Sequence, residues 1–99
     1  MSRVGESELK RWRDLPAEEI LARLADYAKE DPTFGAIKNP ATVRWYARAN
    51  EHEFELLLTG PKFFDTRAKR GGGGAVDLAM HLFDLAFRDA VALLRRRNL

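Results

Sequence analysis

Apolar residues along the chain follow two different periods, and the change from one to the other marks out the elements. Ile20, Leu24, Tyr27 and Ala28 fall at i, i+4, i+7 and i+8, with Leu21 and Ala25 widening the stripe, which predicts a helix over residues 16–30. Pro16 suits its first turn, Asp14 is a candidate cap, Glu18 and Glu19 sit near its positive end, and Asp31-Pro32 stops it. Residues 42–48, TVRWYAR, alternate instead: Val43, Trp45 and Ala47 on one face, Arg44, Tyr46 and Arg48 on the other. After a turn at Asn50–His52, Glu53–Thr59 alternates again with Phe54, Leu56 and Leu58 inward; Gly60-Pro61 turns the chain into a third short strand, Lys62–Asp65. Helical spacing returns with Val76, Met80, Phe83, Phe87, Val91 and Leu94, which periodicity alone allows as one long helix, supported by an Asp84–Arg88 pair.

The expected fold is therefore α+β, a three-stranded antiparallel meander with one buried face covered by helices. Residues 16–94 form the folded module. Residues 1–14, polar and mixed in charge, are expected to be partly disordered, with a helical turn near Leu9 and Trp12 and with Trp12 packed on the body. PTFGAIKNP, residues 32–40, reads as a loop anchored by Phe34 and Ile37.

At 99 residues the chain fits one small domain. It contains no cysteine, which excludes disulfides and thiolate metal sites and suits a reducing cytosol. No apolar run approaches the ~20 residues of a membrane span, and the N-terminus has no secretory h-region. The expectation is a cytoplasmic protein with no membrane partner. The net charge of +2 is unevenly spread: residues 1–31 hold six basic and eight acidic side chains, residues 32–99 eleven and seven. That asymmetry points to an anionic partner for the C-terminal two-thirds.

The most unusual stretch is Arg67, Lys69 and Arg70 running into Gly71–Gly74 directly before a helix. Glycine-rich backbone at a helix N-terminus offers N–H groups to anions, and neighbouring cations reinforce it; the plainer reading is a flexible connector. It is no P-loop, since Ala75-Val76 stands where that motif has Lys-Ser/Thr. Arg44, Tyr46 and Arg48, with Lys62, Arg67, Lys69 and Arg70, give the cations and aromatic that single-strand binding needs. Against that, Glu53 and Glu55 on the partner strand are placed to neutralise Arg44 and Arg48. His52, between Glu51 and Glu53, reads as a solvated turn residue, His81 as a surface partner of Asp77, and Asp77 as a first-turn carboxylate. The Arg95–Arg97 run suits a helix C-terminus. No nucleophile–base or carboxylate pair is recognisable by spacing, so neither an enzyme, a metal nor a cofactor is expected.

Residues 63–94 resemble the end of the zinc-ribbon domain of bacterial DnaG-type, phage and plasmid primases. Phe63-Phe64 match its aromatic pair, Gly72-Gly73 its glycines, Ala75-Val76-Asp77-Leu78 its first helix, and Phe87-Arg88-Asp89-Ala90-Val91 its second. The family breaks the helix near residues 83–86, so the resemblance implies two helices. Its cysteines fall on Thr66 and Lys69, and its earlier Cys and His near Trp45 and Arg48, so the resemblance implies a form that has lost its zinc. It further implies a non-catalytic module that recognises single-stranded DNA in replication, priming or plasmid and phage DNA transfer. Arg44, Tyr46, Arg48, Lys62, Arg67, Lys69, Arg70, Gly72 and Gly73 would be the contacts, and a primase, helicase or relaxase a candidate partner. The alternative is a protein-interaction module on the same scaffold.

Overall fold

A computed structural model of the chain describes residues 4–35 and 38–99. Nine elements follow in order: α1 (Glu6–Asp14), α2 (Ala17–Leu24), β1 (Tyr27–Glu30), β2 (Val43–Ala49), β3 (His52–Thr59), β4 (Lys62–Asp65), β5 (Arg70–Gly73), α3 (Ala75–Phe83) and α4 (Phe87–Arg96). The α+β class holds, but the sheet has five strands rather than three, paired antiparallel in sequence order β1-β2-β3-β4-β5.

Both extra strands come from segments whose composition argues for something else. Tyr27 and Ala28 extend the α2 stripe in sequence, yet α2 ends at Leu24, once Ala17, Ile20, Leu21 and Leu24 are buried. The next residues pair with β2, Tyr27 opposite Arg48 and Lys29 opposite Tyr46, with Asp26 N–H and Asp31 N–H extending the ladder to the Arg48 and Arg44 carbonyls. Pairing satisfies backbone groups that β2 would otherwise leave at an open edge. β5 is the glycine run itself. A Cβ on Gly71 would stand 2.7 Å from the Phe63 carbonyl oxygen, and one on Gly72 would stand 3.1 Å from the Phe63 ring and the Asp77 side chain. The glycines thus permit β5 to lie against β4 and under α3, a close approach that outweighs their poor strand propensity.

The helices cover one face. Ala47, Ala49, Leu56, Leu58 and Phe63 line it, and Ile20, Leu21, Leu24, Leu78, Leu82 and Leu94 close the core from the other side. Residues 6–14, where composition suggests disorder beyond a turn, form a helix whose Trp12 is buried. Ala17 N–H donates to the Gly60 carbonyl, so Pro16 and not Asp14 occupies the cap of α2; Asp14 pairs with Lys10 instead. Ile37, expected as a loop anchor, lies outside the described residues; Phe34 is half-buried.

Two helices replace the single one that periodicity allows. Asp84 adopts the left-handed conformation (φ 53°, ψ 52°), its N–H and that of Leu85 both reaching the Met80 carbonyl, an ending of the Schellman kind. The break shifts the buried stripe. Ala75, Leu78, Ala79 and Leu82 are the buried positions of α3, while Val76, Met80 and Phe83 are half-buried and Phe87 is 48% exposed. α3 packs against α1, α2, α4 and β5, so it is apolar on more than one side and its sequence shows two overlapping stripes. Leu82→Ala is expected to cost about 2–5 kcal/mol, and Phe87→Ala under about 1, in paired urea melts. Similar losses for the two would mean that this stripe is misassigned.

Asn50 (φ 51°) and Glu51 (φ 64°) form the two-residue link between β2 and β3, both in the left-handed region. Such a link favours Asn-Gly. Glu51→Gly should therefore raise stability by about 1 kcal/mol, read from the same melts; a loss of stability would refute the strain.

Candidate nucleic-acid interface

Strand alternation turns one side chain in two away from the helices. On the outer face β1 carries Tyr27 and Lys29, β2 Arg44, Tyr46 and Arg48, β3 Glu53, Glu55 and Leu57, and β4 Lys62 and Phe64. The register groups them into rows: Tyr27–Arg48–Glu53, Lys29–Tyr46–Glu55 and Arg44–Leu57–Phe64. Tyr27, Tyr46 and Phe64 are 56, 39 and 43% exposed, three of the four large apolar side chains exposed among the described residues. A groove lined by Tyr27, Tyr46, Arg48, Glu53 and Arg67 crosses this face.

Arg44, expected as a phosphate contact, is committed elsewhere. Its Nε and Nη2 donate to Asp31 Oδ2 at 3.1 and 2.9 Å, and Nη1 to Glu55 Oε1 at 3.3 Å. Its guanidinium lies over the Phe34 ring at 5.1 Å and the Tyr46 ring at 5.9 Å. Arg44 thus ties the β1–β2 connection to the sheet and backs Tyr46. Asp31 also accepts from the Thr33 hydroxyl at 2.6 Å and the Thr33 N–H at 2.9 Å; these bonds, with Arg44, bring its carboxyl down to about 2. Arg48 and Lys62 are exposed; Arg67 is exposed too, but its Nε lies 4.0 Å from Glu55. The face therefore gathers Tyr46, Arg48, Lys62 and Arg67 as expected, adds Lys29, Tyr27 and Phe64, and loses Arg44 as a free cation.

The glycine run is a strand, and its two N–H groups next to α3 are engaged within the fold. Gly73 N–H donates to Asp77 Oδ2 at 3.1 Å and Gly74 N–H to the Pro61 carbonyl at 3.0 Å. Gly72 faces the helices, where α3 leaves no room for a side chain, and Gly73 lies opposite Lys62. Arg70, opposite Asp65, also turns toward the helix side, and Lys69 is an exposed turn residue with φ 57°.

At the end of the β4–β5 hairpin stands an arrangement without a spacing signal. Asp65 is 4% exposed. Its Oδ1 accepts from the Arg67 and Ala68 N–H groups at 2.9 and 3.0 Å, closing the turn; its Oδ2 is 2.6 Å from His81 Nε2 on α3. His81, expected on the surface beside Asp77, is largely buried, its side chain 12% exposed, between the rings of Phe54 and Phe63 at 5.7 and 5.4 Å. An ionised carboxylate only accepts, so Nε2–H is the donor. Burial pushes the Asp65 carboxyl up, but the bonds from Ala68, His81 and Arg67 outweigh it and hold it below the usual range.

The donors at this turn do not suit zinc. Thr66 hydroxyl is engaged by the Glu55 carbonyl at 3.1 Å, and Lys69 is a cation. Among the described residues no three His, Cys, Asp or Glu side chains cluster to hold a metal.

No family model matches the chain, and no solved structure does. A 65 kDa protein of Zymomonas mobilis subsp. mobilis is 36% identical over 90 residues, a match that covers 82% of this chain and 15% of that protein. The chain thus spans about 15% of the length of this curated relative. Among the described residues no helix is long and apolar enough to cross a membrane.

The depressed carboxyls of Asp31 and Asp65 contribute to the acid response. A carboxyl lowered by folding stabilises above its unfolded value, about 3.9, and that contribution is lost as pH falls through the folded one. For Asp31 the window runs from about pH 4 to about 2; Asp65 loses its share below the usual range as well. Asp65→Ala removes the acceptor of the Arg67 and Ala68 N–H groups and of His81 Nε2, and should cost about 1–3 kcal/mol at neutral pH. Its urea midpoint should then fall less between neutral and acid pH than that of the wild type. Equal acid losses in both would show that Asp65 contributes nothing to the pH dependence.

Proposed function

We propose that the outer face of the sheet binds single-stranded nucleic acid without catalysis, as a DNA-recognition module in replication, priming or plasmid and phage DNA transfer. The observation that carries the reading is the exposed trio Tyr27, Tyr46 and Phe64 set among Lys29, Arg48, Lys62 and Arg67 on one open sheet face. Every base has an apolar face that stacks on an aromatic ring whatever its identity, and cations between the rings follow the phosphates. The resemblance of residues 63–94 to the primase zinc ribbon supports the same reading and names single-stranded DNA. The β4–β5 hairpin, α3 and α4 correspond to the segment that resembles it.

Charge limits the affinity. Glu53 and Glu55 stand among the four cations, so stacking has to supply the larger share of the energy. Fluorescence anisotropy with a labelled oligonucleotide over a range of salt concentrations tests this. Four cations allow a slope of log K against log salt no steeper than about 3, at about 0.7 per phosphate contact. Tyr46→Ala or Phe64→Ala should weaken binding by about 1–3 kcal/mol with the slope little changed. Arg48→Ala with Lys62→Ala should flatten the slope by about 1.4. Absence of binding by the wild type at low salt would overturn the reading in favour of a protein partner.

A further inference from the structure

The chain has two histidines, and both line one cleft. His52 opens β3 and His81 belongs to the last turn of α3, so the folded chain, not local sequence, brings them together. The cleft lies where the β2–β3 turn, the β4–β5 hairpin and the end of α3 meet, and it continues the groove of the outer face: Glu53, Phe54 and Arg67 line both.

The charged groups facing this cleft are Glu53 from β3, Asp65, Arg67 and Arg70 from the hairpin, and Asp84 from the end of α3. With neutral histidines, three carboxylates outnumber two arginines and the cleft carries a net of −1; with both protonated it carries +1. Protonating both histidines therefore reverses the sign of the cleft. Local hydrogen bonding changes in the same sense. While His81 donates Nε2–H to Asp65, its neutral ring leaves Nδ1 a bare acceptor that a phosphate oxygen cannot approach favourably. Protonation turns Nδ1 into a donor and makes the bond to Asp65 charge-assisted, so the ring keeps its anchor and gains a second N–H donor.

We propose that this cleft is a second phosphate subsite for the strand on the sheet face, formed when His52 and His81 are protonated. The inference rests on the reading of the sheet face as a single-strand site. Arg67, at the junction, carries the backbone from groove to cleft, and Arg70 and the two imidazolium groups receive it.

The test uses a fluorescein-labelled oligodeoxythymidine of about 15 nucleotides, whose bases do not titrate in this range, with anisotropy read at about pH 8 and about pH 5.5. Wild type should bind about tenfold tighter at the lower pH, with a salt slope steeper by up to about 1.4, two contacts at about 0.7 each. His52→Gln, in an exposed position, should remove about half of that extra slope. His52→Gln with His81→Gln should remove all of it. A glutamine amide at position 81 can still donate to Asp65, and thermal melts at both pH values report whether the fold persists. Tyr46→Ala should weaken binding at both pH values and leave their ratio alone. Equal affinity of wild type at the two pH values, or a pH effect that survives in the folded double variant, overturns the subsite and leaves the sheet-face reading standing. A wild type that binds at neither pH overturns the sheet-face reading and the subsite with it.

Discussion

The buried carboxylate of Asp65 is the constraint on which the C-terminal half depends. Through Oδ1 it closes the turn from β4 into β5, and through Oδ2 it fastens that hairpin to His81 on α3. One side chain thereby fixes the angle at which the glycine strand meets the helix, and β5 can be nearly devoid of side chains because its position is set from both ends. At the other end Asp77 takes the Gly73 N–H and the Pro61 carbonyl takes that of Gly74. A carboxylate buried with three donors is well solvated by protein, whereas one with its donors removed would not be, and this is why its charge persists despite burial.

A carboxylate can close a turn without a metal ion. In a metal-bound knuckle the ligands themselves hold the hairpin in shape. Here the Arg67 and Ala68 N–H groups donate to Asp65 and the Thr66 hydroxyl donates to the Glu55 carbonyl, and these bonds hold the turn. The hairpin's geometry thus has a physical cause in this chain's own residues.

Much of the architecture is legible in the sequence because it depends on local period. β2, β3 and β4 are bounded within a residue or so by their alternation, whereas the apolar stripe does not mark the break between α3 and α4. What sequence reasoning misses depends on long-range pairing or on steric room. Tyr27 and Ala28 satisfy both a helical stripe and a strand alternation, and only the open edge of β2 decides between them. The glycines of β5 look like a loop because their function, allowing backbone to approach the Phe63 carbonyl, lies in what surrounds them. The candidate face divides the same way. Tyr46, Arg48 and Lys62 follow from alternation; Tyr27 escapes with its strand, Phe64 is visible only as half of an aromatic pair, and the Asp65–His81 bond joins residues whose spacing means nothing until the hairpin docks on α3.

Arg44 shows why residue type and face are not enough to assign a contact. It lies on the outer face with Tyr46 and Arg48, as alternation requires, and by type it is the best phosphate ligand there. Its guanidinium nevertheless commits its donors to Asp31 and Glu55 and its apolar faces to Phe34 and Tyr46. Drawing it away to a phosphate would leave two carboxylates, one of them held by folding to about 2, without their cation. The exposed Arg48, two rows away, has no such commitment among the described residues. An arginine already paired in the folded state orders the surface around it; on this face Arg44 backs the Tyr46 ring and restricts that side chain before any ligand meets it.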